Sequence, residues 1–346
     1  MSVRAVCRLR SVACTALLFV APLACGTAEL SWSYATPPVE GRINGDAVPD
    51  FVALCSETDA GNPTRVCAVD GATFKLLWRS QPLDDVAAKG RPLLGIAGGR
   101  VALVDQLARI HLYDLATGTA LPSSLRLDDR SAQICNPVEE PGNLWLASMS
   151  SDSGWMVDPA QAKITSARRP WSCMIQYGQS ESANPGVAPI DYRTAVPLPR
   201  FPGVHAYTAL VDGDDGAATV VPNEGAPHVR LLGFTPASQG RPTALRWQRE
   251  IVVEEPLRAQ VAGPRPIWLS GGRIIVQYDD VSSGNHLEAI DPKTGTTRWD
   301  VAAGSYSNTR VTTSRIYQYD AHAIQVRDAA TGKVLGHVGR DPSTSR

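Results

Sequence analysis

Apolar residues alternate with polar ones in short runs along most of the chain, and each run stops at a cluster of Gly, Pro, Asn or Asp. A period of two places every second side chain on one face, the signature of half-buried β-strands. Val66-Cys-Ala-Val-Asp70, Arg100-Val-Ala-Leu-Val-Asp105 and Arg273-Ile-Ile-Val-Gln-Tyr278 are clear cases. The commonest stop is Asp, small residues, Thr and Gly: Asp accepts bonds from nearby backbone amides and Gly tolerates positive φ, so a tight turn and a returning strand are expected.

That unit repeats. Asp70-Gly-Ala-Thr-Phe-Lys-Leu-Leu-Trp78 reappears as Asp114-Leu-Ala-Thr-Gly118, as Asp291-Pro-Lys-Thr-Gly295-Thr-Thr-Arg-Trp299 and as Asp328-Ala-Ala-Thr-Gly332-Lys-Val-Leu. Weaker copies surround Asp158 and Thr235, the latter running on to Trp247. Successive turn positions lie about 44, 44, 77, 56 and 37 residues apart, near the 40–50 residues of one propeller blade. A degenerate copy at Val187-Ala-Pro-Ile-Asp191 fills the long step, although Gln179–Pro202 also reads as a Pro- and Ser-rich loop. A single β-propeller of four-stranded antiparallel blades is expected over residues 29–346, with seven blades and with six or eight as alternatives. Isolated hairpins are marginal in water, so the units must stack. Trp78, Trp247 and Trp299 share one repeat position and are expected to pack blade on blade. Trp32, on a similar strand, suggests a closure in which the N-terminus completes the last blade.

Strand-Asp-x-x-Thr-Gly-x-x-x-Trp resembles the pyrroloquinoline-quinone (PQQ)-like propeller repeat, best at Asp291–Trp299. Ile43-Asn-Gly-Asp-Ala-Val-Pro-Asp50 and Val211-Asp-Gly-Asp-Asp-Gly216 resemble integrin-type (FG-GAP) repeats. The first resemblance raises quinone-dependent dehydrogenases, but those hold the quinone over adjacent cysteines, which this sequence lacks. The second implies calcium, whose hard oxygen ligands would come from Asp46 and Asp50 with Asn44, and from Asp212 and Asp214 with Asp215. Both sets are incomplete, and turn-forming aspartates are the favoured reading.

The N-terminal segment has different chemistry. Arg4, Arg8 and Arg10 precede an apolar stretch, Thr15–Ala24, that is too short to span a bilayer and reads as an export signal over residues 1–28. Leu23-Ala24-Cys25-Gly26 resembles a bacterial lipobox, which would end the signal at residue 24 and lipidate Cys25. The expected location is the bacterial periplasm, the outer membrane or the extracellular space. Four of the seven cysteines follow the signal, and an even number in an oxidising compartment suggests disulfides: Cys55 with Cys67 across a hairpin, and Cys135 with Cys173.

Charge and motifs narrow the function classes. Thirty-three Lys+Arg against 34 Asp+Glu leave a net charge of −1, without the basic excess that nucleic-acid phosphates require. The six histidines show no metal-ligand spacing, and neither Gly-x-Ser-x-Gly nor a phosphate-binding Gly-rich loop occurs. No catalytic residue, resident metal or cofactor is expected. The leading expectation is an exported, non-enzymatic platform for an envelope protein or extracellular ligand. The alternatives are a secreted hydrolase or lyase working at the central channel, and a calcium-stabilised adhesion module. Trp145, Trp155, Trp171 and Tyr177 fall off the repeat pattern and are the candidate binding surface.

Overall fold

A computed structural model describes residues 30–32, 36–57, 63–83, 93–128, 133–135, 144–148, 153–168, 190–191, 196–197, 204–212, 214–222, 228–235, 244–252, 267–280, 284–304, 306, 308–320 and 322–339. Among them the chain is all-β and builds successive antiparallel sheets. Sheet I holds β1 (Leu30–Trp32), β2 (Val39–Gly41), β3 (Asp50–Glu57), β4 (Arg65–Val69) and β5 (Leu76–Arg79). Sheet II holds β6 (Leu93–Ala97), β7 (Arg100–Val104), β8 (Ile110–Asp114) and β9 (Ala120–Leu121). Sheet III holds β10 (Gln133–Cys135), β11 (Leu144–Ala147), β12 (Ser153–Asp158) and β13 (Lys163–Arg168). A two-stranded hairpin of β14 (Ile190–Asp191) and β15 (Val196–Pro197) follows. Sheet IV is β16 (Val204–Asp212), β17 (Asp215–Pro222), β18 (His228–Thr235) and β19 (Ala244–Val252). Sheet V is β20 (Ile267–Ser270), β21 (Arg273–Asp280), β22 (Gly284–Ile290) and β23 (Thr297–Ala302), and sheet VI is β24 (Asn308–Val311), β25 (Arg315–Tyr319), β26 (Ala323–Asp328) and β27 (Val334–Gly339).

Each sheet is a meander whose strands pair in chain order, consistent with propeller blades. Where the degenerate copy at Asp191 was expected, the described residues form only the two-stranded hairpin.

The sheets pack face to face through apolar clusters. Sheets I and II share Val52, Leu54 and Val66 with Val101 and Leu103. Sheets II and III, IV and V, and V and VI are joined in the same way. Phe51, Cys67 and Val69 of sheet I meet Tyr317, Ile324 and Val326 of sheet VI, so the last sheet packs on the first.

The turn chemistry explains why these hairpins form. Oδ1 of Asp70, Asp114, Asp158 and Asp291 accepts the amides two and three residues ahead, and Oδ1 of Asp328 accepts that of Thr331. Four residues after the Asp the backbone turns left-handed, at φ 69° in Gly118, 74° in Gly295 and 72° in Gly332. Phe74 and Ala162 hold the same place at φ 58° and 49°, conformations that cost an L-residue about 1 kcal/mol or more.

Those glycines also make room for tryptophan. The indole of Trp78 covers Gly118 in the next sheet, where an added Cβ would stand 2.3 Å from Cε3. Its Nε1 donates to Leu115 O at 2.9 Å. Trp247 covers Gly295 and donates to Pro292 O, and Trp299 covers Gly332 and donates to Ala329 O. Three sheet contacts therefore use one lock, an indole on a left-handed glycine with its polar end satisfied. The contact of sheet VI with sheet I inverts it. The tryptophan position there is Gly336, the glycine position is Phe74, and a Cβ on Gly336 would lie 2.3 Å from the Phe74 ring.

The expected strand exchange at the N-terminus does not occur. β1 pairs with β3 of its own sheet, Trp32 opposite Cys55, and β27 already completes sheet VI from C-terminal residues. Side chains close this contact instead. The buried Arg315 donates to Pro49 O at 2.7 Å and Gly71 O at 3.0 Å, and Glu40 accepts bonds from Thr312 and Tyr317. Gly336→Trp is predicted to destabilise the fold by about 2 kcal/mol or more through overpacking against Phe74. Adding Phe74→Gly should recover much of that loss, because it recreates the lock of the other sheets; denaturant unfolding of the single and double variants measures the coupling.

Candidate binding surface

The outermost strand of four sheets carries a bulge directly before, or at, the lock position. The bulge residue is Leu77 in sheet I, Arg246 in IV, Arg298 in V and Leu335 in VI. The arginines are held back on their own sheets: Arg246 Nη1 lies 2.6 Å from Asp215 Oδ1, and Arg298 Nη2 lies 2.8 Å from Asp291 Oδ2. The leucines have no such work and stay in solvent, Leu77 at 37 % and Leu335 at 46 % exposure. Leu76 and Val334 beside them are 40 % and 47 % exposed. Because sheets I and VI are neighbours, the two pairs flank one seam, with Phe74 and Gly336 in contact between them. Large side chains at this exposure, gathered on one edge, are the mark of an interaction surface.

Ionisable groups gather at two other places. Between sheets IV and V, the buried Glu288 accepts Arg249 Nη1 at 2.8 Å, Thr297 Oγ1 and Tyr278 Oη at 3.4 Å. His286 stacks on Tyr278 with ring centroids 5.8 Å apart and holds Asp300 at 2.8 Å. Burial, together with the negative charges of Glu288 and Asp300, pushes the Tyr278 phenol above its ordinary range. A phenol held neutral beside a carboxylate that already accepts three donors ties two sheets together and is poorly suited to act as nucleophile or base. In sheet II, burial pushes the Asp105 carboxyl up. Donors from His111, Arg109 and the Leu107 amide more than offset it, so the group titrates below its usual range.

The calcium candidates are occupied by the protein itself. Asp50 is fully buried; Oδ2 accepts the amides of Ile43 and Asn44, and Oδ1 accepts that of Gly71 at 2.9 Å. Asp46 accepts the Val48 amide and the Asn44 side chain. Asp214 is exposed in a turn, its neighbour Asp215 is bound to Arg246, and the Asp212 side chain lies outside the described residues. Asp50 and Asp215 stand at the strand start where Arg100, Arg273 and Arg315 stand in sheets II, V and VI, so the integrin-like segments carry a charge exchange at one repeat position. Among the described residues no group of three or more His, Cys, Asp or Glu could hold a metal ion.

Of the two proposed disulfides, Cys55–Cys67 is formed across β3 and β4 with Cα atoms 6.0 Å apart. The Cys135 side chain and Cys173 lie outside the described residues, as do Cys25, Trp171 and Tyr177. The expectation that Trp145 and Trp155 present a binding surface is corrected. Trp145 is only 4 % exposed, and Trp155 packs half-buried on the cluster between sheets II and III. Falling off the tryptophan repeat did not bring them to the surface, because both sit on inner strands where either face is covered.

No protein-family profile matches the chain, and no curated protein sequence does. Solved structures with a similar chain path include Sqt1 of Saccharomyces cerevisiae (10% identity, 91% of this chain, 87% of the other, TM-score 0.48). Apo AztD of Citrobacter koseri shares 13% identity over 86% of this chain and 96% of its own, with TM-score 0.44. BamB of Moraxella catarrhalis shares 13% identity over 84% and 73%, with TM-score 0.26. These likenesses are too distant to carry an argument about function. No helix among the described residues is long and apolar enough to cross a membrane.

Two outcomes follow from the carboxylates. Asp50→Ala leaves buried amides without an acceptor and should cost about 2–4 kcal/mol. Its melting temperature, like that of the parent, should not move with added calcium or chelator; a calcium-dependent rise in either protein would contradict the role given to Asp50. Hydrogen bonds from Thr73, Thr117 and Arg298 are the leading causes that hold Asp70, Asp114 and Asp291 below the ordinary carboxyl value of 3.8. Their stabilisation is therefore present above about pH 4 and fades as pH falls through the lowered folded values. Acid titration of Asp114→Asn should show a shallower loss of stability over that range than the parent.

Proposed function

We propose that this protein is an exported, non-enzymatic propeller that serves as a protein-binding platform in the bacterial cell envelope. The observation that carries the reading is the seam surface, where Leu76, Leu77, Val334 and Leu335 are exposed at positions that hold Thr297 and Arg298 in sheet V. Sheets locked to one another by buried indoles give that surface a rigid support, which lowers the ordering cost of binding. Export is supported by the basic-then-apolar order of residues 1–28 and by the Cys55–Cys67 bond, which persists in an oxidising compartment. An acyl chain on Cys25 would add a membrane tether and needs no spanning segment. For the ring itself we propose seven positions, with the hairpin β14–β15 standing in the seventh; the spacing of the turn residues supports this count.

The test is photo-crosslinking in intact cells, with a crosslinker at position 333 and mass spectrometry of the products. Partner adducts should form with the parent and fall about tenfold with Leu77→Asn/Leu335→Asn, while secretion and melting temperature stay unchanged, since exposed sites tolerate substitution. If the adducts are the same with and without the double substitution, the seam is not the docking surface.

A further inference from the structure

Sheets I and VI share more than exposed leucines. The residue before each aliphatic pair is a lysine, Lys75 in Lys75-Leu76-Leu77 and Lys333 in Lys333-Val334-Leu335, and both are exposed. The equivalent residue is Thr119 in sheet II and Thr296 in sheet V, each a member of a hydroxyl pair that bonds within its own turn. The Lys-aliphatic-aliphatic triplet thus belongs to the two sheets that meet at the seam.

The lysines are not neutralised by the acids nearest to them in sequence. Asp70 spends Oδ1 on the amides of Ala72 and Thr73 and Oδ2 on Asn44 Nδ2. Asp328 spends Oδ1 on the Thr331 amide and hydroxyl. Neither lysine forms an ion pair among the described residues. In sheets IV and V the turn-side acids face arginines instead, so cation and acid cancel there. The seam is therefore a double strip of aliphatic side chains bracketed by two ammonium groups. β5 and β27 are also the outer strands of their sheets, each paired on one side only, which leaves backbone donors and acceptors along the free edges.

We infer that the seam binds an extended segment of another protein whose aliphatic side chains are flanked by Asp or Glu. The inference rests on the platform reading above and adds the chemistry of the partner. Exposed aliphatics call for apolar side chains, the lysines for carboxylates, and the free strand edges for extended backbone. A membrane fits the positions less well. The chain enters β1 at Leu30 opposite Glu57, at the far end of β3 from Phe51, which pairs with Val69 and so with the Leu76 end of sheet I. A tether upstream of β1 would leave from the end of the sheet remote from the lysines and leucines.

The experiment uses the mature full-length protein and three fluorescent peptides read by anisotropy. One alternates Asp with Leu, one alternates Lys with Leu, and one alternates Asp with Ser. The Asp-Leu peptide should bind, and its affinity should fall as salt rises; the other two should bind at least about tenfold more weakly. Leu77→Asn/Leu335→Asn should lower affinity for Asp-Leu by a similar factor, and Lys75→Glu/Lys333→Glu should reverse the preference towards Lys-Leu. Equal binding of the Asp-Leu and Lys-Leu peptides, or a preference that survives the charge reversal, overturns the inference. Binding to phosphatidylglycerol vesicles, or self-association in sedimentation, that is lost with the leucine substitutions while no peptide preference appears would also overturn it in favour of that occupant. The platform reading fails separately: if cellular crosslinks do not depend on Leu77 and Leu335, the surface is wrong, whereas dependent crosslinks without a charge preference leave the surface and discard only the partner's chemistry.

Discussion

Most of this architecture depends on an indole laid over a glycine. Each of Trp78, Trp247 and Trp299 reaches from the outer strand of one sheet to the turn of the next. The glycine does two jobs there: it takes a φ that a side chain resists, and it leaves the flat surface that the ring covers. The indole nitrogen meets a turn carbonyl that would otherwise face apolar carbon. Turn geometry and sheet packing are thus one constraint. A sheet whose turn failed to close would lose its neighbour as well as its own hairpin, which couples the stability of units that are local in sequence.

The sequence made much of this legible. The Asp that caps each turn, the Gly four residues later and the shared Trp position are repeats of residue type at fixed spacing, and each has a local physical cause. The Cys55–Cys67 bond was legible for the same reason, since the two cysteines end strands of one hairpin. What could not be read is what depends on neighbours in space. The glycine slot holding Phe74 looked like a lapse in the repeat, and its meaning appears only beside Gly336 in the last sheet. Trp145 looked like surface because it left the pattern, yet its strand is covered on both faces. β1 looked like a strand lent to the last sheet, but β27 was already there.

Charge at the repeat positions follows a similar logic. Arg100 and Arg315 start strands at the place where Asp50 starts β3, and Arg315 reaches over to the carbonyls of Pro49 and Gly71 beside it. Asp50 gathers the amides of the same corner. The first sheet therefore presents a loop whose polar groups are satisfied from within and from the last sheet. An acidic sequence that resembles a metal loop serves here as the acceptor for a folded backbone. The site residues that sequence reasoning missed, Leu77 and Leu335, were visible only as ordinary strand residues. Their signal is the contrast with Arg246 and Arg298 at the aligned bulge, and it requires knowing that a bulge is there.

The self-contained first and last sheets have a mechanical consequence. Where a strand is shared between chain ends, pulling the ends apart must shear a ladder of backbone hydrogen bonds all at once. Here the seam holds by Phe74 on Gly336, the Arg315 donors and the Glu40 acceptor, with no backbone ladder crossing it. Tension applied through the termini would part the seam first and leave each sheet intact, so the molecule has a built-in opening that yields at low force and recloses without refolding a strand.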